Sequence, residues 1–261
     1  MDRGAGASGR CRTGVLARVE AAFPHLGEEP CLVGRGGSGT IFFAGCGLGC
    51  RFCQNASISR GGAGREVTAE DLAGLMLALQ ARGCRNVNLV TPTHVLPQVV
   101  AALDIAARKG LHVPLVYNAG GYEDPDTLRR LDGVFDVFLP DLKTLDVERA
   151  GRWFDAPDYP DVARAALGEM HRQVGGLVLD GHGIAVRGLI VRHLVMPGAT
   201  ADALAVMAFL AGLAPGTAVS ILAQYRPLAD GPSLPDLARR PTAAEVDVVV
   251  TEARRLGLRV V

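Results

Sequence analysis

The chain has 261 residues, 49% of them apolar, which suits one large α/β domain with a full core. Acidic and basic residues balance at 27 each, so no polybasic or polyacidic face points to nucleic acid or membrane. The best apolar run, Ala201–Ala214, carries Asp202 and falls short of the roughly 18 residues of a membrane helix, and the polar, glycine-rich start lacks a secretion-signal core, so a cytoplasmic location is expected.

Residues 1–38 carry no clear pattern and are set apart as an N-terminal extension to a single domain over 39–261. Thr40–Ala44 reads as a strand leading into a cysteine loop. Thr68 is a plausible N-cap with Asp71 at the third helical position, and Leu72, Leu75, Met76 and Leu79 share one face, predicting a helix over 69–82. Asn86–Val90 reads as a strand and Val95–Arg108 as a helix closed by Gly110. Val113–Asn118 follows as a strand, then a glycine-rich turn and a short helix near 125–132. Val134–Leu139 is a strand, Tyr159–Val174 a helix, Val186–Val195 a strand and Ala201–Leu213 a helix. Ala218–Ala223 is the last strand, and Ala243–Leu256 a long C-terminal helix. The strands alternate little with polar residues, as in a parallel sheet covered on both faces. About six such units suggest an α/β fold, a partial (β/α)6 barrel, with ligands gathered beyond the carboxyl ends of the strands.

Six cysteines in a cytosolic chain argue against a disulfide framework. Cys11, Cys31 and Cys84 are scattered and read as small core residues. Cys46, Cys50 and Cys53 instead crowd one loop, Gly45-Cys-Gly-Leu-Gly-Cys-Arg-Phe-Cys53, whose glycines let the backbone curl and the thiolates converge. Iron with sulfide prefers thiolate ligands, and three ligands for a four-iron cluster leave one iron open to a small molecule. A zinc site with a distant fourth ligand such as His94 or Cys84, a closed electron-transfer cluster, and chance clustering compete with that reading.

The cysteine spacing, with Phe52 before the last cysteine, resembles the radical S-adenosylmethionine (SAM) superfamily. Further stretches are similar to one group within it, the proteins related to pyruvate formate-lyase activating enzyme. These are Gly37-Ser-Gly-Thr-Ile-Phe-Phe-Ala-Gly-Cys46, Asn88-Leu-Val-Thr-Pro-Thr-His94, Asp141-Leu-Lys143, Ala156-Pro-Asp-Tyr-Pro160 and Arg192-His-Leu-Val-Met-Pro-Gly198. The resemblance implies a radical SAM barrel in which Cys46, Cys50 and Cys53 hold three irons of a [4Fe–4S] cluster. The fourth iron then takes SAM, which is reductively cleaved to methionine and a 5′-deoxyadenosyl radical that abstracts hydrogen. Phe52 corresponds to the aromatic beside the adenine.

Where related activating enzymes carry Gly-Gly-Glu for the SAM amino group, this chain has Thr91, Thr93 and His94, which offer hydroxyl and imidazole partners. His94 reads equally as a helix-terminal residue without chemistry. Asn118-Ala-Gly-Gly stands where relatives have an Asp-Thr-Asn-Gly turn at the methionyl end of SAM; a capping asparagine in a glycine turn is the alternative. Asp141 and Lys143 share one face of an extended chain, placing a point charge for the SAM carboxylate, or else a surface ion pair. Lysine is scarce here, Lys109 and Lys143 standing among twenty-five arginines, which favours a specific role for Lys143. The group's pattern turns Arg192 into the reaction cavity and packs His193 away from it, while Gln224 and Tyr225 line the adenosine or substrate side. Asp158, Tyr159 and Pro160 carry no derivable chemistry.

The leading expectation is an oxidoreductase acting as a glycyl-radical activase on a protein substrate, with flavodoxin or ferredoxin as electron donor. Radical modification of a small molecule or peptide is the alternative, and a non-enzymatic iron–sulfur electron carrier a third reading.

Overall fold

Strand-forming runs and amphipathic stretches alternate along the chain, and their apolar faces are buried by stacking helices on a sheet. The computed structural model describes residues 9–60, 62, 64–228 and 234–261. In chain order the elements begin with β1 (Ala17–His25), α1 (Pro30–Val33), β2 (Ser38–Phe43), α2 (Ala56–Ser59), β3 (Arg65–Val67) and α3 (Ala69–Ala81). They continue with β4 (Val87–Val90), α4 (Leu96–Arg108), β5 (Leu115–Ala119), α5 (Pro125–Arg129), β6 (Val137–Pro140), α6 (Val147–Phe154) and α7 (Tyr159–Val174). The last are β7 (Val178–Leu179), β8 (Ala185–Leu194), α8 (Thr200–Leu213), β9 (Ala218–Leu222), α9 (Ala243–Arg255) and β10 (Arg259–Val260).

Among the described residues a ten-stranded sheet runs β10-β9-β8-β6-β5-β4-β2-β1-β3, with β7 paired to β8 off that path. Strands β2, β4, β5, β6, β8, β9 and β10 are mutually parallel, while β1 and β3 join antiparallel at one margin. Among the described residues the sheet stays open between β3 and β10, which makes the fold a partial α/β barrel as the strand–helix alternation predicts. The six expected strands are β2, β4, β5, β6, β8 and β9, with ends displaced by a few residues. The capping box that starts α3 is present: the Thr68 hydroxyl accepts from the Asp71 amide, and the Asp71 carboxylate accepts from the Thr68 amide.

The extension holds more order than its sequence suggests. Strand β1 pairs with β2 over His25 to Val19, and its burial is mixed along its length, so no strong apolar run marks it. Helix α1 turns Cys31 and Leu32 onto the inner face of the strands, against Val116, Val137, Leu139 and Ile190. Burying a leucine as fully as Leu32 stabilises by about 1.5–3 kcal/mol, so α1 works as a plug. Cys11, Cys31 and Cys84 are buried, as expected of small core residues.

Register settles which side chains face inward. Asn88 pairs with Val116 and Val90 with Asn118, and the alternation sends Leu89, Tyr117 and Phe138 outward into the core beneath the helices. Val90, Asn118 and Arg192 thereby face one cavity at the carboxyl ends of the parallel strands. Among the described residues no helix is long and apolar enough to cross a membrane.

Candidate active site

The cysteine loop leaves β2 at Ala44, whose amide donates to the Arg18 carbonyl. Gly45 has φ 89°, and a Cβ there would stand 2.3 Å from the Cys11 carbonyl oxygen, so no larger residue fits. Gly47 and Gly49 differ from expectation: neither has positive φ, and among the described residues nothing lies within 4 Å of a Cβ placed on Gly47. The loop is tied back by the Arg51 amide on the Trp153 carbonyl (2.8 Å) and the Cys53 amide on the Cys50 carbonyl (3.2 Å). The Cys53 sulfur lies 3.4 Å from the Ser59 hydroxyl.

Cys46, Cys50 and Cys53 all line a cavity of about 650 Å³, inside the range of small-molecule sites. Thr91, Asn118, Asp141, Lys143, Arg192 and Gln224 line the same space from the ends of successive strands. Burial raises the Cys46 thiol and pushes the Cys50 thiol up to about 12, with the Lys143 charge opposing it in both cases. The Lys143 ammonium sits 2.5 Å from the Asp141 carboxylate; burial alone lowers its pKa, but Asp141 and Cys50 outweigh that and hold it charged. The pair is half-buried, unlike a solvated surface ion pair.

Arg192 faces the cavity but is already engaged. Its Nε and Nη2 donate to the two oxygens of Glu29 at 2.7 Å each, a bidentate fork, and Nη2 also donates to Glu28. A longer contact of 3.4 Å runs from Nη1 to the Asn118 side-chain oxygen. Burial raises the Glu29 carboxyl, yet Arg192 more than reverses this and leaves it below the usual range. Two carboxylates thus meet one guanidinium. Glu28 and Glu29 carry no local signal in the sequence, because their partner lies on a distant strand.

Tyr159 also acquires a role that its turn sequence hides. Its hydroxyl accepts from the Lys143 amide at 3.0 Å and reaches the Gly120 and Asp141 carbonyls at the same distance. Gly121, at φ 83°, would place a Cβ 2.1 Å from the Asp141 carbonyl oxygen, so the turns after β5 and β6 are pressed together. Below them Glu123, 3% exposed, accepts from the Thr93 hydroxyl at 3.0 Å, and burial pushes its carboxyl up to about 7.

Four expected site residues lie outside the cavity lining. Phe52 is buried edge-on against Trp153, Phe154 and Tyr225, with centroids 5.7, 6.2 and 6.4 Å away. Tyr225 donates its hydroxyl to the Leu237 carbonyl (2.7 Å). The Thr93 hydroxyl serves Glu123 and also accepts from Tyr117 at 3.3 Å. His94 has Nε2 2.9 Å from the Ala44 carbonyl; a carbonyl only accepts, so this nitrogen carries the proton and pins β4's end to the cysteine loop. These side chains shape the wall from behind because aromatic and imidazole groups here find better partners in the core. His193 packs away from the cavity as expected, with Nδ1 donating to the Leu142 carbonyl (2.7 Å).

The donor set suits a cluster. Three thiols on one loop open on a cavity that the half-buried Lys143 ammonium also lines, and these soft donors are the type that iron with sulfide takes. Among the described residues no group of His, Cys, Asp and Glu side chains is placed to hold a metal ion by itself.

A family model described as the radical SAM superfamily matches residues 40–210. The uncharacterised protein MJ0674 of Methanocaldococcus jannaschii is 29% identical over 246 residues, covering 90% of this chain and 67% of its own. A solved structure described as native anSMEcpe with bound AdoMet aligns at TM-score 0.46 and 13% identity, covering 69% of this chain. The chain spans about half the length of that protein, 49%.

Proposed function

The chain belongs to the radical SAM superfamily, and from that membership we propose a SAM-dependent enzyme whose cluster is held by Cys46, Cys50 and Cys53. One observation carries the assignment: the three thiols share a cavity with Asp141, Lys143 and Asn118 from adjoining strand ends. When bound, the cluster and SAM together supply a 5′-deoxyadenosyl radical for hydrogen abstraction. Lys143 presents its charge to the SAM carboxylate while Asp141 orients it, and Tyr159 holds the backbone of both in place. Asn118 and Thr91 offer neutral polar groups along the same wall. Arg192 acts through its Glu29 fork as a wall element, not as a free anion receptor.

The substrate reading is a glycyl-radical activase, supported by the motif resemblance to pyruvate formate-lyase activating enzyme. Radical modification of a small molecule or peptide is the second reading. It is supported by the ion-paired Glu28–Glu29–Arg192 wall, which lines the cavity with side chains beyond those assigned to SAM. Anaerobically reconstituted protein should cleave SAM to 5′-deoxyadenosine under a chemical reductant; a protein that binds iron and sulfide but leaves SAM intact would be an electron carrier. Deuterium transfer from labelled candidate substrates into 5′-deoxyadenosine separates the two enzymatic readings.

A further inference from the structure

Strand β1 ends at His25, near one margin of the sheet, and by Glu29 the chain has crossed to Arg192 on β8, five steps away in the strand order. His25, Gly27, Glu28 and Phe42 line the large cavity along this crossing, and the cluster and SAM readings use none of them. The His25 ring is clamped. It lies edge-on to Phe23 and Phe42, with centroids 5.6 and 6.3 Å away, and those two rings stack on each other at 5.7 Å. From the other side Gly27 presses on it, since a Cβ there would stand 3.1 Å from the imidazole Cε1.

Packing thus fixes the imidazole, yet its two nitrogens have no hydrogen-bond partner among the described residues. Glu28 is engaged through one oxygen: Oε2 accepts from Arg192, and Oε1 has no hydrogen-bond partner among the described residues. The other charges of the lining are matched. Lys143 pairs with Asp141, and Arg192 is forked by Glu29 while its third nitrogen reaches Asn118. An anionic ligand group therefore meets no unoccupied lysine or arginine among the described residues of this lining. A nitrogen donor meets the Glu28 Oε1, an imidazole lone pair and the Phe42 ring, all acceptors or partners of a cation.

We propose that His25 and Glu28 are the substrate-recognition residues of this cavity, and that they take a basic nitrogen group, an amine or a guanidine. The proposal rests on the SAM-dependent reading above, which assigns Asp141, Lys143 and Asn118 to SAM and leaves this wall for the substrate. Glu28 supplies the charge, and His25 supplies direction, because a clamped ring can hydrogen-bond only along its own plane. The same group can arrive on a small molecule or on the side chain of a peptide.

The test uses the full chain with oxidised cluster and SAM bound, titrated calorimetrically with agmatine, with the peptide acetyl-Gly-Arg-Gly-amide, and with pentanoate as the anionic counterpart. Saturable binding of agmatine, the peptide or both is expected, with Kd of about 1 mM or tighter, and none of pentanoate. Binding of agmatine alone assigns the group to a small molecule, and binding of the peptide alone assigns it to a polypeptide; either supports the proposal. His25→Phe keeps a ring against Phe23 and Phe42 but carries no nitrogen, and should weaken the bound probe about three- to tenfold with SAM affinity unchanged. Glu28→Gln keeps an acceptor for Arg192 and should weaken it about 10- to 100-fold, which decides the matter should His25→Phe fail to fold. No saturable binding of either cationic probe, equal binding of pentanoate, or wild-type probe affinity in a folded variant would overturn the proposal. Wild-type protein that holds iron and sulfide but binds no SAM would instead overturn the SAM-dependent reading, so the two failures are distinguishable.

Discussion

Glu123 allows a stability prediction with a worked magnitude. Its carboxyl is 3% exposed, Oε1 accepts from Thr93, and Oε2 has no partner among the described residues. Burial moves it from its ordinary 4.5 to about 7. The native state therefore holds a proton that the unfolded chain has already released between those two values. Stability is undiminished below 4.5, falls as pH rises through the window, and levels off above about 7. At about 1.36 kcal/mol per unit the full effect is about 3 kcal/mol, of which roughly 2.5 lies between pH 5 and 8. Glu123→Gln keeps the acceptor for Thr93 and cannot ionise, and any cost of its amide is the same at both pH values. Urea unfolding of metal-free, thiol-reduced wild type and variant at pH 5 and 8 should show the stability gap shifting toward the variant by about that amount. A gap constant to within about 0.5 kcal/mol would refute a buried, pH-dependent Glu123.

Replacing Cys46, Cys50 or Cys53 by alanine should abolish both the cluster absorbance and 5′-deoxyadenosine formation; activity in any single variant would remove that cysteine from the ligand set. Lys143→Ala should leave cluster absorbance intact and weaken SAM binding by about 10- to 100-fold, as expected for a lost charge-assisted contact, and an unchanged SAM titration would make the residue structural. Arg192→Met strands two buried carboxylates and should cost about 3–5 kcal/mol in urea unfolding, whereas Glu29→Gln, which leaves Glu28 to pair with Arg192, should cost clearly less. Equal costs would mean that the fork is not what holds the segment before α1 in place. Tyr159→Phe should lower stability by about 1–3 kcal/mol and weaken SAM binding with it, since three backbone groups lose their partner; an unaffected SAM titration would uncouple the hydroxyl from the site.

Local features are written in the spacing of residues along the chain. The Cys46, Cys50, Cys53 interval, the Thr68–Asp71 box and the strand–helix alternation each depend on neighbours within a few residues, so they survive as sequence patterns. Thr91, Asn118, Asp141, Lys143, Arg192 and Gln224 were legible as strand-end residues because parallel strands deliver their carboxyl ends to one side. The side chains behind the wall were not: the aromatic pocket that takes Phe52 is assembled from Trp153, Phe154 and Tyr225, far away in the chain.

The sequence alone determined the crowding of three thiols on one loop and the alternation of strands with helices, since cysteine spacing and hydrophobic period are local properties. Only the tertiary structure decided that Glu28 and Glu29, 163 or more residues before Arg192, would occupy its guanidinium. Charges in a folded chain are compensated by whatever packing brings near, and no pattern along the chain records which partner that is.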